Sequence, residues 1–197
     1  MSRFKIYACI IVAVASSGCM NREIMRSSGT QSNANEEIPV LTESTGAPYL
    51  ATHQLVVDEM LSVAKVNGDD ILYDLGSGDG RIPITAATRF GTKGVGIDID
   101  PVLVRMANKN AVDQKVTEKV KFVEADIFKY DFCDATVVML YLSPDLNVQL
   151  KPQLLKLKPG TRVVSHNHDM GDWKPEQTRK VTTPGGVEHR VYLWRIP

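Results

Sequence analysis

The sequence predicts an α/β fold: a doubly wound, mixed seven-stranded sheet closed by a C-terminal antiparallel hairpin. Three observations predict it. Apolar runs with strand character alternate with helix-period stretches between about residues 51 and 166, the pattern of a parallel sheet covered on both faces. A glycine-rich turn follows the first apolar run and opens the next helix. The alternation then stops, and two strand-like runs flank Pro184-Gly185-Gly186, the chemistry of a tight hairpin turn.

The chain begins with a leader, residues 1–19. Arg3 and Lys5 supply positive charge, and residues 6–15 are apolar. That run is shorter than the roughly 20 residues a bilayer span needs, but it suits the core of a signal peptide. Ser16-Ser17-Gly18-Cys19 follows, and small residues before a cysteine resemble a bacterial lipoprotein signal, in which that cysteine is lipidated and becomes the mature N-terminus. Ser16 stands where that signal prefers an aliphatic residue. Ordinary cleavage, an uncleaved anchor and a start at Met20 or Met25 are the competing readings. The lipoprotein reading places the chain on a membrane or outside the cytoplasm; a later start leaves it in the cytoplasm. Residues 20–46 are polar and lack apolar period, so they read as a flexible tether. Residues 47–197 form the remaining domain.

Within it, Leu55, Val56, Met60, Leu61 and Ala64 recur at helical spacing and predict a helix over 51–66. Strands are expected at 71–75, 94–99, 120–125, 136–142 and 162–166, with helices at 80–90, 101–114 and 144–156. The hairpin strands are 179–183 and 191–196. A length of 197 residues suits one cored domain. Lysine plus arginine equals aspartate plus glutamate, 23 each, so no basic excess argues for nucleic acid. Of three cysteines only Cys133 lies in the domain, which excludes a disulfide framework and a thiol-rich zinc site. No metal is expected, and a monomer is.

The chemistry centres on Asp74-Leu75-Gly76-Ser77-Gly78-Asp79-Gly80. Its glycines let the backbone turn tightly and approach a ligand. The spacing is GxGxG, not the GxGxxG that cradles a pyrophosphate. Asp74 and Asp79 would repel a pyrophosphate but suit a ligand bearing an ammonium and a sulfonium, as S-adenosylmethionine does. Asp98, at the end of the second strand, can accept from ribose hydroxyls, with Ile99 beside it. Asp126, after the third, can accept from an adenine amino group, with Ile127 against the ring. All these positions fall at strand carboxyl ends, where open α/β sheets bind ligands.

Together these segments resemble the Rossmann-like, seven-strand class I methyltransferases dependent on S-adenosylmethionine. Within that class the domain is similar to the small methyltransferases related to the mitochondrial lysine methyltransferases of the ATP synthase c-ring protein and the adenine nucleotide translocase. Pro48-Tyr49-Leu50-Ala51-Thr52 matches that family's lead-in, residues 74–82 its cofactor turn, and Leu140-Tyr141-Leu142-Ser143-Pro144, residues 158–165 and Trp173-Lys174-Pro175 its second half. Asp98 stands where mitochondrial members usually carry glutamate. The resemblance implies a protein substrate with a target lysine and a cofactor site that includes Tyr49. It also implies an acceptor pocket at Tyr141, Ser143 and Pro144. His166, His168 and Asp169 end the fifth strand, with the two histidines on one strand face, and could hydrogen-bond the acceptor, hold a metal or serve structure. Three rivals are small-molecule methylation, nucleic-acid methylation, and an exported domain that keeps the fold without catalysis.

Overall fold

The computed structural model describes residues 49–197. The leader with Cys19, the tether and Pro48 lie outside the described residues. In chain order the elements are α1 (Gln54–Val63), β1 (Ile71–Leu75), α2 (Arg81–Phe90), β2 (Lys93–Asp98), α3 (Pro101–Asp113), β3 (Val120–Glu124), β4 (Val137–Leu140), α4 (Pro144–Leu154), β5 (Arg162–His166), β6 (Gln177–Thr182) and β7 (Glu188–Arg195). The sheet order is β3-β2-β1-β4-β5-β7-β6. Strands β1 to β5 pair in parallel. β7 is antiparallel to both β5 and β6, so it alone runs backwards. This is the mixed seven-stranded sheet the sequence predicts.

Side chains alternate across the strands with period two. Leu72, Val137, Met139, Val164, Val191 and Leu193 pack against α1 and α2. Tyr73, Leu75, Val138, Leu140, Val163 and Trp194 face the opposite layer with Leu150 and Leu154 of α4. Burial on both faces is why these strands read as nearly continuous apolar runs. A third cluster joins α2 and α3 to Val120 and Phe122 of β3. Among the described residues, no helix is long and apolar enough to cross a membrane.

One boundary differs from the sequence expectation. Helix α1 starts at Gln54, not 51, because the His53 side chain caps it by accepting from the Leu55 amide, leaving residues 49–53 outside the helix. Between β3 and β4 no helix forms. Ile127, Phe128, Tyr130 and Phe132 instead turn their side chains onto the core and cover the α4 face as a helix would.

The amino edge of the sheet is tied together by Arg162. Its guanidinium pairs with Asp70, the two side chains being 14% and 6% exposed, and donates to the Ala64 carbonyl at 2.7 Å. Thr136 donates to Asp70 at 2.7 Å and accepts from the Ile71 amide at 2.9 Å. One buried knot thus fixes α1, β1, β4 and β5, and the opposite, carboxyl edge holds the candidate site.

Candidate active site

Strand β1 runs into the glycine turn. Gly76, Gly78 and Gly80 have φ of 81°, 54° and 78°, the left-handed region where glycine pays no Cβ penalty. The Gly76 and Ser77 amides both donate to the Ile97 carbonyl, at 2.8 and 3.0 Å, which pins the turn onto β2. Space also demands glycine here. A Cβ on Gly78 would lie 2.3 Å from the Tyr49 ring, and one on Gly80 2.5 Å from the Phe122 ring. The turn therefore accommodates the chain's own aromatic rings as well as any ligand.

The carboxylates divide by role. Asp79 accepts from Arg81 through both oxygens, with contacts of 2.6 to 3.1 Å, and Arg81 also donates to the Thr52 carbonyl at 2.7 Å. The Asp79 charge is thus matched by a cation within the protein. Asp98 is 8% exposed. Its Oδ2 accepts from the Gly78 amide at 2.8 Å and its Oδ1 from the Asp100 amide at 3.0 Å. Asp98 therefore holds the turn in shape, and its remaining lone pairs are free to receive donors. Asp74 is 2% exposed. Burial first, then the charges of Asp98 and Asp79, push its carboxyl well above the usual range.

Two hydroxyls face the turn: the Ser77 hydroxyl is buried without a hydrogen-bond partner, and the buried Tyr49 hydroxyl lies against Asp79 and Arg81. Burial, helped by the Asp79 charge, lifts the Tyr49 phenol to about 12, so it remains a donor. Buried polar groups are rarely left unpaired, and an orphan invites a ligand or water. Just past β2, Ile99 is 57% exposed. Asp126 is engaged in its own turn. It accepts from the Phe128 amide at 2.9 Å and pairs with Lys129 at 2.9 Å. The Lys129 hydrogen bond holds its carboxyl below the usual range. Ile127 is half-buried against the α4-side cluster.

Beyond β4, Tyr141 lies tilted against His166, ring centroids 3.9 Å apart, and is nearly parallel to His168 at 6.4 Å. Ser143 is the N-cap of α4, accepting from the Leu146 amide, and Pro144 opens the helix. Of the three acceptor candidates, only Tyr141 joins the ring cluster; Ser143 and Pro144 shape the loop by capping. Strand β5 ends at His166, and Asn167 takes a left-handed φ of 61°. His166 and His168 therefore flank one ring from a turn rather than along one strand face. Trp173 lies against Trp194, which donates its Nε1–H to the Trp173 carbonyl at 2.7 Å. Among the described residues, no three histidine, cysteine or acidic side chains gather as a metal site.

Spacing gave no sign of several neighbours. Thr52 Oγ1 lies 3.4 Å from His166 Nδ1, and His189 Nδ1 lies 3.0 Å from His166 Nε2. Asn147 is fully buried on the α4 side and donates to Ser165 Oγ and the His168 carbonyl, both at 3.1 Å. Only the fold brings β7 and α4 to these residues.

A family model for the ANTKMT methyltransferase domain matches residues 74–177, from the end of β1 to the start of β6. The chain belongs to this methyltransferase family. It is an S-adenosylmethionine-dependent methyltransferase, and the glycine turn with its buried carboxylates and the orphan Ser77 hydroxyl fits that polar, cationic cofactor. The methyltransferase is 46% identical over 151 residues to a protein-lysine N-methyltransferase of Saccharolobus islandicus, covering 76% of this chain and 93% of that protein. It is 31% identical over 151 residues to the adenine nucleotide translocase lysine N-methyltransferase of Mus musculus, covering 76% of this chain and 63% of that longer protein. A crystal structure of an RNA methyltransferase from Salinibacter ruber, in complex with S-adenosyl-L-homocysteine, is similar at a TM-score of 0.70 and 51% identity, covering 75% of this chain and 94% of that one.

Proposed function

We propose that this methyltransferase transfers its methyl group to the side-chain amine of a protein lysine. One observation carries the reading: 46% identity across 93% of a protein named as a protein-lysine N-methyltransferase. The cofactor supplies a methyl group already activated on sulfonium sulfur. This chain's residues hold and orient. Gly76, Ser77, Gly78 and Gly80 would cradle the amino-acid end, with the Tyr49 and Ser77 hydroxyls as donors to its carboxylate. Asp74 would face its ammonium, and the Asp79–Arg81 pair keeps the turn rigid. Asp98 would receive the ribose hydroxyls, while Ile99, Ile127 and Asp126 would serve the adenine. A lysine must shed its proton before it can attack, and a desolvated, aromatic-lined slot favours the neutral amine. Tyr141 would orient that amine, on a loop set by Ser143 and Pro144.

The 51% identity to a protein named as an RNA methyltransferase favours a second reading. The cations beside the site argue against it, because Arg81 and Lys129 are paired with Asp79 and Asp126, whereas a phosphate backbone calls for lysines and arginines to neutralise it. Labelled-methyl transfer into a membrane lysate, followed by acid hydrolysis, separates the two. Methyllysine supports the lysine reading, and label confined to nucleic acid, lipid or a small metabolite overturns it. For location, the lipoprotein reading is the proposal: Cys19 is lipidated and the mature chain starts there. Its support is the charged leader, the short apolar run and the polar stretch behind it. Intact-mass spectrometry of membrane-extracted protein tests it, and a product starting at Met1, Met20 or Met25 overturns it.

A further inference from the structure

We propose that Thr52, His166 and His189 form a proton path that carries the proton shed by the acceptor amine near Tyr141 out to the β6–β7 hairpin. The inference rests on the amine reading above. Its basis is a run of polar atoms that crosses the carboxyl edge of the sheet. Thr52 Oγ1 lies 3.4 Å from His166 Nδ1. His166 Nε2 lies 3.0 Å from His189 Nδ1. His189 Nε2 lies 3.5 Å from Thr183 Oγ1, which sits 3.3 Å from the Val187 carbonyl. His166 is 1% exposed, whereas His189 is only half-buried and reaches water.

The hydrogen bonds have one consistent polarity. Thr183 donates to the Val187 carbonyl, so it accepts from His189 Nε2–H. His189 Nδ1 is then the bare nitrogen and accepts from His166 Nε2–H. His166 Nδ1 is bare in turn and accepts the Thr52 hydroxyl proton. The groups facing His166 are Tyr141 beyond β4, His189 on β7, Thr52 from the lead-in and His168 beyond β5. Arg81 engages the Thr52 carbonyl instead. None of these facing groups is a carboxylate that would trap a proton on the ring. Burial, then His189 and His168, pushes His166 down to about 4, so it can pass a proton without storing one.

The step balances. The ammonium of the acceptor gives one proton to Thr52 Oγ as the Thr52 hydroxyl proton moves to His166 Nδ1. His166 Nε2–H moves to His189 Nδ1, and His189 Nε2–H leaves to water. Neither ring ends charged. The freed lone pair on nitrogen forms the N–C bond as the C–S bond breaks, and the bonding pair leaves with sulfur. The tautomers reset after product release, when the ring and hydroxyl protons exchange with water.

The test uses the full chain, S-adenosylmethionine and membrane-lysate protein, with methyllysine counted across a pH series. His189→Gln and His166→Gln should each cut the neutral-pH rate tenfold or more, the scale of a lost proton-transfer group. The deficit should shrink as rising pH deprotonates the amine, and added imidazole should partly restore His189→Gln. Cofactor affinity should stay at the wild-type value. Methyllysine formation with an unmoved pH profile in both variants overturns the path alone. No methyllysine from the wild type overturns the amine reading and the path with it. If either variant fails to fold, nitrogen NMR of the wild-type imidazoles decides: His166 bare at Nδ1 and bonded through Nε2–H supports the path, and the opposite tautomer overturns it.

Discussion

Replacing Asp98 with alanine should do more than weaken a ligand contact. Its carboxylate accepts from the Gly78 amide at 2.8 Å and the Asp100 amide at 3.0 Å, at a site 8% exposed. Alanine leaves both amides without that acceptor, and a buried unsatisfied donor costs about 1–3 kcal/mol. The fold should therefore lose about 2–6 kcal/mol, a large share of a typical stability of about 5–15 kcal/mol. For a domain of this size, about 2 kcal/mol already lowers Tm by about 4 °C or more. Cofactor affinity should fall further, by about 1–3 kcal/mol for the lost charged acceptor, or roughly 5- to 150-fold. Asp98→Asn keeps one acceptor oxygen and should recover part of the Tm but less of the affinity. Calorimetric titration with S-adenosylmethionine and a thermal melt read the two effects separately. A variant with Tm within about 2 °C of wild type and unchanged affinity would refute the turn-holding role.

Other expectations follow from the same geometry. Asp74 is lifted by burial and by Asp98 and Asp79, so the empty protein gains stability from it at pH below the unfolded value of about 3.9 and loses that gain as pH rises through the folded value. A cationic cofactor favours the ionised form, so affinity should rise with pH and binding should release a proton; Asp74→Asn should flatten both trends in two-buffer calorimetry. Gly80→Ala should cost about 2–5 kcal/mol in a denaturant titration, from the left-handed φ of 78° and a Cβ 2.5 Å from the Phe122 ring. Arg162→Ala strands the buried Asp70 carboxylate and the Ala64 carbonyl and should cost about 3–5 kcal/mol by the same measurement.

Much of this was legible in the sequence because the signals were local. Strand alternation and the GxGxG turn depend on neighbours a few residues away. The sequence reads Asp98 as a ligand acceptor and says nothing of its bracing of the turn, since its partner amide at Gly78 comes from another strand's loop. Asp79 looked like a second ligand carboxylate; its bidentate pairing with Arg81, two residues on, was readable in principle but depends on the turn's shape. The covering of the α4 face between β3 and β4 carries no periodic signal, because four apolar side chains without helical spacing provide it. His189 was invisible as a neighbour of His166, because nothing local to a hairpin strand says that it will slot beside β5 rather than at the sheet's edge.

That slotting has a consequence for how the domain is made. β7 is the last strand in sequence, yet it lies inside the sheet, between β5 and β6, with Trp194 only 1% exposed. Until residue 195 has left the ribosome, β5 lacks one neighbour and β6 has no partner at all. The sheet therefore closes only once β7 has slotted between them.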